Sequence, residues 1–250
     1  MFGIKQLLSF IPFAFIGIPA LSDELKQWQV ELGAGPAWQN RNDVRIPGNT
    51  GTEFSLEELA GSGPFPSIRF EGFYTIKGPH GLRLLLAPFE YTETGVLPYD
   101  VFFVDKTFLG GVDTQVTYKF NSYRLTYRYR FFADDRWQWY VGGTLKLRDA
   151  EIALTQGILS ANDTDVGVVP LLYLYGNYRL NKKWHFVFDM DGAAAPQGRA
   201  FDLGLKLTYD ISDRWYLGGS YRLLEGGVDN DTVYNFAWFN YLLISIGYRN

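Results

Sequence analysis

The sequence predicts an all-β fold, a single antiparallel up-and-down transmembrane β-barrel of about ten strands. Three observations predict it. The 250 residues include 17 Tyr, 20 Phe, 7 Trp and 27 Gly, a composition weighted toward residues that suit a pleated, half-buried surface. From residue 23 onward the dominant period is two, with bulky apolar side chains on one face and charges on the other. Connectors between the periodic segments alternate between tight and long.

The chain opens with Lys5 ahead of an apolar run from Leu7 to Ile18, then Pro19 and the small-residue pattern Ala20-Leu21-Ser22. This reads as a signal peptide over residues 1–22, leaving a barrel domain over 23–250. The run is shorter than the ~20 residues an α-helical span needs.

The first strand is expected at about Trp28 to Trp38, with Trp28, Val30, Leu32, Ala34 and Trp38 on one face. The second, about Ser67 to Lys77, sets Ile68, Phe70, Tyr74 and Ile76 against Arg69, Glu71 and Thr75. Gly78-Pro79-His80-Gly81 turns the chain into a third, about Leu82 to Thr92. The fourth, about Asp113 to Phe132, changes phase near Asn121-Ser122, where a β-bulge is expected.

The fifth, about Trp137 to Leu154, opposes Trp139, Val141 and Leu145 to Thr144, Lys146 and Arg148. A sixth, about Val166 to Leu180, is almost continuously apolar and leaves its phase open. The seventh to tenth run from about Trp184 to Asp191, Phe201 to Ile211, Trp215 to Leu224 and Val233 to Arg249. Tight turns fall near Gly78, Asp134, Lys182 and Ser212, and longer links cover 39–66, 93–112, 155–165, 192–200 and 225–232. An even strand count with one-sided long loops fits a barrel whose two termini lie on the periplasmic side.

A weak repeat of Tyr-rich strand, polar turn, basic residue and Trp occurs at Tyr129 to Trp137, Tyr178 to Trp184 and Tyr209 to Trp215. Tyr and Trp favour membrane interfaces, so three such turns predict one aromatic girdle. A lipid-facing exterior then leaves Glu31, Arg69, Glu71, Arg83, Arg124, Arg128, Lys146, Asp189, Asp202, Lys206 and Arg222 pointing into the lumen. A soluble barrel requires the reverse, with apolar side chains inside.

Taken together, leader, alternating strands, tight turns and a strand-like C-terminus resemble the small outer-membrane β-barrel proteins of Gram-negative bacteria. Tyr118-Lys119-Phe120-Asn121-Ser122-Tyr123-Arg124-Leu125, Ala195-Pro196-Gln197-Gly198-Arg199-Ala200-Phe201-Asp202-Leu203-Gly204 and Leu224-Glu225-Gly226-Gly227-Val228-Asp229-Asn230-Asp231 resemble signatures of a group of such proteins and imply no activity. The resemblance implies outer-membrane lipids and the barrel-assembly machinery as partners. Members commonly end in an aromatic residue, whereas this chain reads Gly247-Tyr248-Arg249-Asn250, with Tyr248 as the nearest aromatic.

Candidate chemistry is sparse. With no Cys there is no thiol nucleophile or thiolate metal site. A net charge of −4 offers no basic field for nucleic acid. Of the two histidines, His80 falls in a turn. His185 shares a face with Asp189, but four strand residues place them ~13 Å apart, beyond direct hydrogen bonding. Asp189, Asp191 and His185 are therefore weak catalytic candidates.

Hairpin pairing around Pro196 brings Asp191 near Asp202, and pairing around Ser212 brings Arg222 beside Asp202. The expectation is a lumenal ion-pair network of Asp189, Asp191, Asp202, Lys206 and Arg222, because confined charges are costly unless paired. No cofactor or metal is expected, and the Gly-flanked Asp229-Asn230-Asp231 lacks a full EF-hand ligand set. The function expected is non-enzymatic, a structural or surface-interaction role or a narrow small-solute conduit with a charged, largely filled lumen. The alternative is an outer-membrane hydrolase or lipid-modifying enzyme using lumenal carboxylates.

Overall fold

A computed structural model describes residues 28–250; the leader expected over 1–22 lies outside the described residues. Ten antiparallel strands close into a barrel: β1 (Trp28–Arg45), β2 (Phe65–Lys77), β3 (His80–Ala87, resuming as Glu90–Val96), β4 (Asp113–Ala133), β5 (Trp137–Gln156), β6 (Leu159–Arg179), β7 (Trp184–Ala195), β8 (Gly198–Asp210), β9 (Trp215–Asp229) and β10 (Tyr234–Arg249). Each strand pairs with its neighbour in sequence, and β1 closes on β10 from Gln29↔Arg249 to Arg45↔Tyr234. All ten expected strands are present.

Every strand contributes to a belt of exposed apolar side chains, among them Leu32, Ile68, Leu84, Leu125, Leu145, Leu172, Phe186, Leu205, Leu217 and Ile244. Leu172 is 72% and Ile244 77% exposed. A continuous apolar belt of this extent is incompatible with a freely soluble monomer and suits a lipid surround. Inside the same level lie buried charges, so the polarity is that of a transmembrane barrel.

Three tight turns between strands share one construction. Asp134, Asn181 and Ser212 each use a side-chain oxygen to accept the backbone N–H groups two and three residues on. In the Asp134 turn, donation from the Trp137 and Arg136 amides holds the carboxyl below its ordinary pKa. The following basic residue then reaches a tyrosine hydroxyl: Arg136 to Tyr178, Lys183 to Tyr209 and Arg214 to Tyr248. Trp137, Trp184 and Trp215 pack on the same tyrosines at ring separations of 4.4, 4.9 and 4.9 Å. The repeat seen in the sequence thus joins each Trp to the Tyr ending the next strand, not to the Tyr before it.

At the opposite end the connectors differ from expectation. The links at 155–165, 192–200 and 225–232 are mostly strand, turning at Gly157-Ile158, Pro196-Gln197 and 230–233. Gly157 adopts φ +61°, a left-handed conformation that suits glycine. Only the links following β1 and β3 are long. The first carries α1 (Leu56–Ala60), capped by Ser55 Oγ, which accepts from the Glu58 amide. The second folds as a small hairpin, Val101–Phe103 with Lys106–Phe108.

β4 has no bulge at Asn121-Ser122; its register with β5 runs unbroken from Gln115↔Thr155 to Arg130↔Tyr140, and the shift comes between Arg130 and Phe132. Even-numbered residues point inward throughout: Thr114, Val116, Tyr118, Ser122, Arg124, Thr126 and Arg128 are all buried. The face does not change; the solvent does. Toward the turn end the outer positions are Tyr123, Leu125 and Tyr127, and toward the loop end they are Lys119, Thr117 and Gln115. Above the belt the barrel becomes an ordinary water-soluble one, with an apolar interior.

That interior is a core of Ala37, Val44, Phe65, Tyr91, Val116, Tyr118, Ile152, Leu154 and Phe239, roofed by Leu56 and Leu59 of α1 and Phe103 and Phe108 of the hairpin. The wall around it splits along two lines. Pairing of β2 with β3 stops at Phe70↔Leu86, and pairing of β6 with β7 stops at Leu172↔Gly192.

Candidate functional site

At the level of the apolar belt the lumen holds a continuous network of ten ionic side chains, five cationic and five anionic. Arg222 Nη2 lies 2.9 Å from Asp189 and 2.5 Å from Asp202. Arg124 bridges Asp191 and Asp202, each at 2.7 Å. Arg83 reaches Asp191 at 2.8 Å, Glu71 at 3.0 Å and Asp189 at 3.4 Å. Arg69 contacts Glu71 at 3.2 Å and Asp202 at 3.5 Å. Lys206 completes the set with Glu31 at 2.6 Å and Glu71 at 3.6 Å.

Strand geometry explains the convergence. Asp191 stands directly opposite Asp202 in the β7–β8 register, a like-charge pair that would repel if left alone. Arginines from β3, β4 and β9 answer it, and Thr144 Oγ1 donates to Asp191 at 2.7 Å. Tyr216 donates to Glu31 at 2.8 Å and accepts from Gln29 at 2.7 Å, extending the chain of hydrogen bonds toward the turn end. Two more buried cations stand apart: Arg128 lies over the rings of Phe73 and Tyr140, both at 4.5 Å, and Lys146 over Phe120 at 4.6 Å. Ring faces attract a desolvated cation.

The structure brings together Asp189, Asp191, Asp202 and Arg222, while Lys206 enters the network through Glu31 and Glu71. His185 is not with them. Its Nε2 lies 3.3 Å from Asp210 Oδ2, and Asp210 also accepts from Arg249. Asp189 and Asp191 are held by arginines, so neither has a histidine to orient or deprotonate. The candidate catalytic set of Asp189, Asp191 and His185 therefore does not assemble. His80 sits at the turn end with Nδ1 2.6 Å from the Tyr127 hydroxyl. Asn230 caps its own turn, accepting from the amides of Thr232 and Val233 at 2.9 Å each.

The sequence placed Glu31, Arg69, Glu71, Arg83 and Arg124 inside but did not join them to the aspartates. Hairpin register connects only adjacent strands, whereas these contacts cross the lumen between strands distant in the chain. Two cavities of about 40 and 10 Å³ adjoin the network, sharing Arg69, Arg222 and Leu243 in their walls. The smaller is the size of one water.

No protein-family model matches the chain, and no curated protein matches it by sequence. Solved structures do match by shape. The outer membrane protease OmpT from Escherichia coli is 8% identical over 92% of this chain and 99% of its own, with a TM-score of 0.53. The attachment invasion locus protein Ail of Yersinia pestis is 11% identical over 90% of this chain and 99% of its own, with a TM-score of 0.41. At such identities the likeness is one of fold, and the chain has the fold of the small outer-membrane β-barrels.

Proposed function

We propose that this protein is a non-enzymatic integral barrel of the outer membrane that acts through the structure it presents above the bilayer, not by passing solute along its axis. One observation carries this reading: the lumen is occupied along its length, by the ten-member ionic network at belt level and by the apolar core and its roof above. The ten charged residues are cross-linked by ion pairs, and aromatic and aliphatic core side chains pack across the lumen above them. Export would follow from the leader over 1–22, insertion from the barrel-assembly machinery, and the loop end would face the exterior.

Both histidines lie at the turn end, away from the loop-end surface where an extracellular substrate would arrive. That arrangement favours a structural or surface-interaction role over hydrolysis. Reconstitution in planar bilayers tests the reading directly. The folded chain, identified by heat-modifiable migration on a denaturing gel, should insert without producing discrete conductance steps. Stable single-channel openings from the folded species would overturn it.

A further inference from the structure

The larger cavity reaches the barrel wall where β2 and β3 stop pairing above Phe70↔Leu86. Ile68, Ala87 and Pro88 line it there, and the exposure of Ile68 and Pro88 gives it a lateral mouth. Pro88 has no N–H to offer across the gap, and β3 pauses there before resuming at Glu90. Leu86 and Ile68 place this mouth in the apolar belt, beside lipid.

Behind the mouth, Phe89, Phe120 and Leu224 line an apolar neck, and the base is cationic. Arg69, Arg124 and Arg222 face a single carboxylate there, Asp202. Arg69 is 9% exposed, and its Nε is buried with no hydrogen-bond partner. Lys146, directly opposite Arg124 in the β4–β5 register, has no carboxylate within salt-bridge distance among the described residues. The cavity wall thus carries three guanidinium groups against one carboxylate, and Arg69 Nε is a buried donor left for an anion.

We infer that the gap between β2 and β3 is a lateral slot for a single-chain amphiphile with a carboxylate head, a fatty-acid type of ligand. The head would accept from Arg69 Nε, and the tail would leave through the Ile68–Pro88 mouth into the bilayer. One unpartnered donor in the cavity wall, Arg69 Nε, suits a small, singly charged head. The slot rests on the membrane embedding proposed above, which heat-modifiability in vesicles checks separately.

The test uses the full chain in phosphatidylcholine vesicles with a stearic acid spin-labelled near its carboxylate, read by electron paramagnetic resonance. Its methyl ester serves as the neutral counterpart. The acid should show a motionally restricted component with about tenfold higher affinity than the ester, the discrimination that one charge-assisted hydrogen bond supplies. Ala87→Trp, which fills the cavity from its wall and removes no charge, should abolish that difference while the barrel stays heat-modifiable. Arg69→Gln should abolish it as well, and Ala87→Trp decides the matter if that variant does not fold. Equal affinity for acid and ester, or an undiminished preference in Ala87→Trp, would overturn the slot.

Discussion

Asp202 shows how much one side chain can be asked to do. It accepts from Arg222 and Arg124 and lies 3.5 Å from Arg69, all of them buried in the lumen. Removing one member of a buried ionic set strands the others, at about 3–5 kcal/mol. Asp202→Asn and Arg222→Gln should therefore each destabilise the folded barrel strongly. Their combination should cost less than the sum, with a coupling of about 0.5–3 kcal/mol. Recovery falls short of complete because Arg69 and Arg124 keep their claim on position 202. Equilibrium unfolding of the two single variants and the double variant reads this, and strictly additive effects would reject the pairing. The contact of Arg222 with Asp202 was legible in the sequence because one hairpin turn separates their strands. Those of Arg83 with Asp191 and Lys206 with Glu31 were not, since they depend on how far the barrel's strands tilt and where β1 meets β10.

Strand β4 is the element that reports where the membrane ends. Its inward face is even-numbered from Thr114 to Arg128, yet the hydrophobic side of the strand switches near Asn121. Periodicity alone reads that switch as a bulge, because hydrophobicity identifies the buried side only when the surrounding solvent is known. Two outward substitutions separate the explanations. Leu125→Arg, in the belt, should cost about 2–4 kcal/mol near the bilayer midplane. Gln115→Arg, ten positions earlier and equally outward, should stay within about 0.5 kcal/mol, as for an ordinary surface change. Folding titrations into vesicles measure both, and similar penalties would mean the boundary is misplaced. The expected long loop at 155–165 failed for the same reason, since strands above the belt carry polar outer faces, such as Asn162 and Thr164 of β6, which read as loop. That at 192–200 failed because Gly192, Ala193, Ala194 and Ala195 carry no bulky alternation and Pro196 and Gly198 read as turn.

For the whole molecule, strand number, order and closure followed from alternation and turn chemistry. The filling of the upper barrel did not, because Leu56, Leu59, Phe103 and Phe108 reach it from segments with no strand period. The ionic network has a further consequence, which concerns time. Glu31, Arg69 and Glu71 come from the first two strands, and their partners Asp189, Asp202 and Lys206 from β7 and β8, more than a hundred positions later. None of these pairs can form until the last strand has met the first. An unzipped β1–β10 junction would leave both halves of the set facing hydrocarbon, so escape from the closed state must cross a species with several bare charges. The closed barrel is thus latched kinetically as well as held at equilibrium. Glu31→Gln, which loosens only contacts of β1 with Lys206 and Tyr216, should accelerate unfolding by nearly its full equilibrium cost and leave the folding rate unchanged, as for contacts absent from the transition state. Time courses of the gel-mobility change give both rates, and slowed folding in the variant would show that the charges meet early. A protein so latched is removed from its membrane by dilution through growth or by cutting the segments outside it, not by spontaneous release.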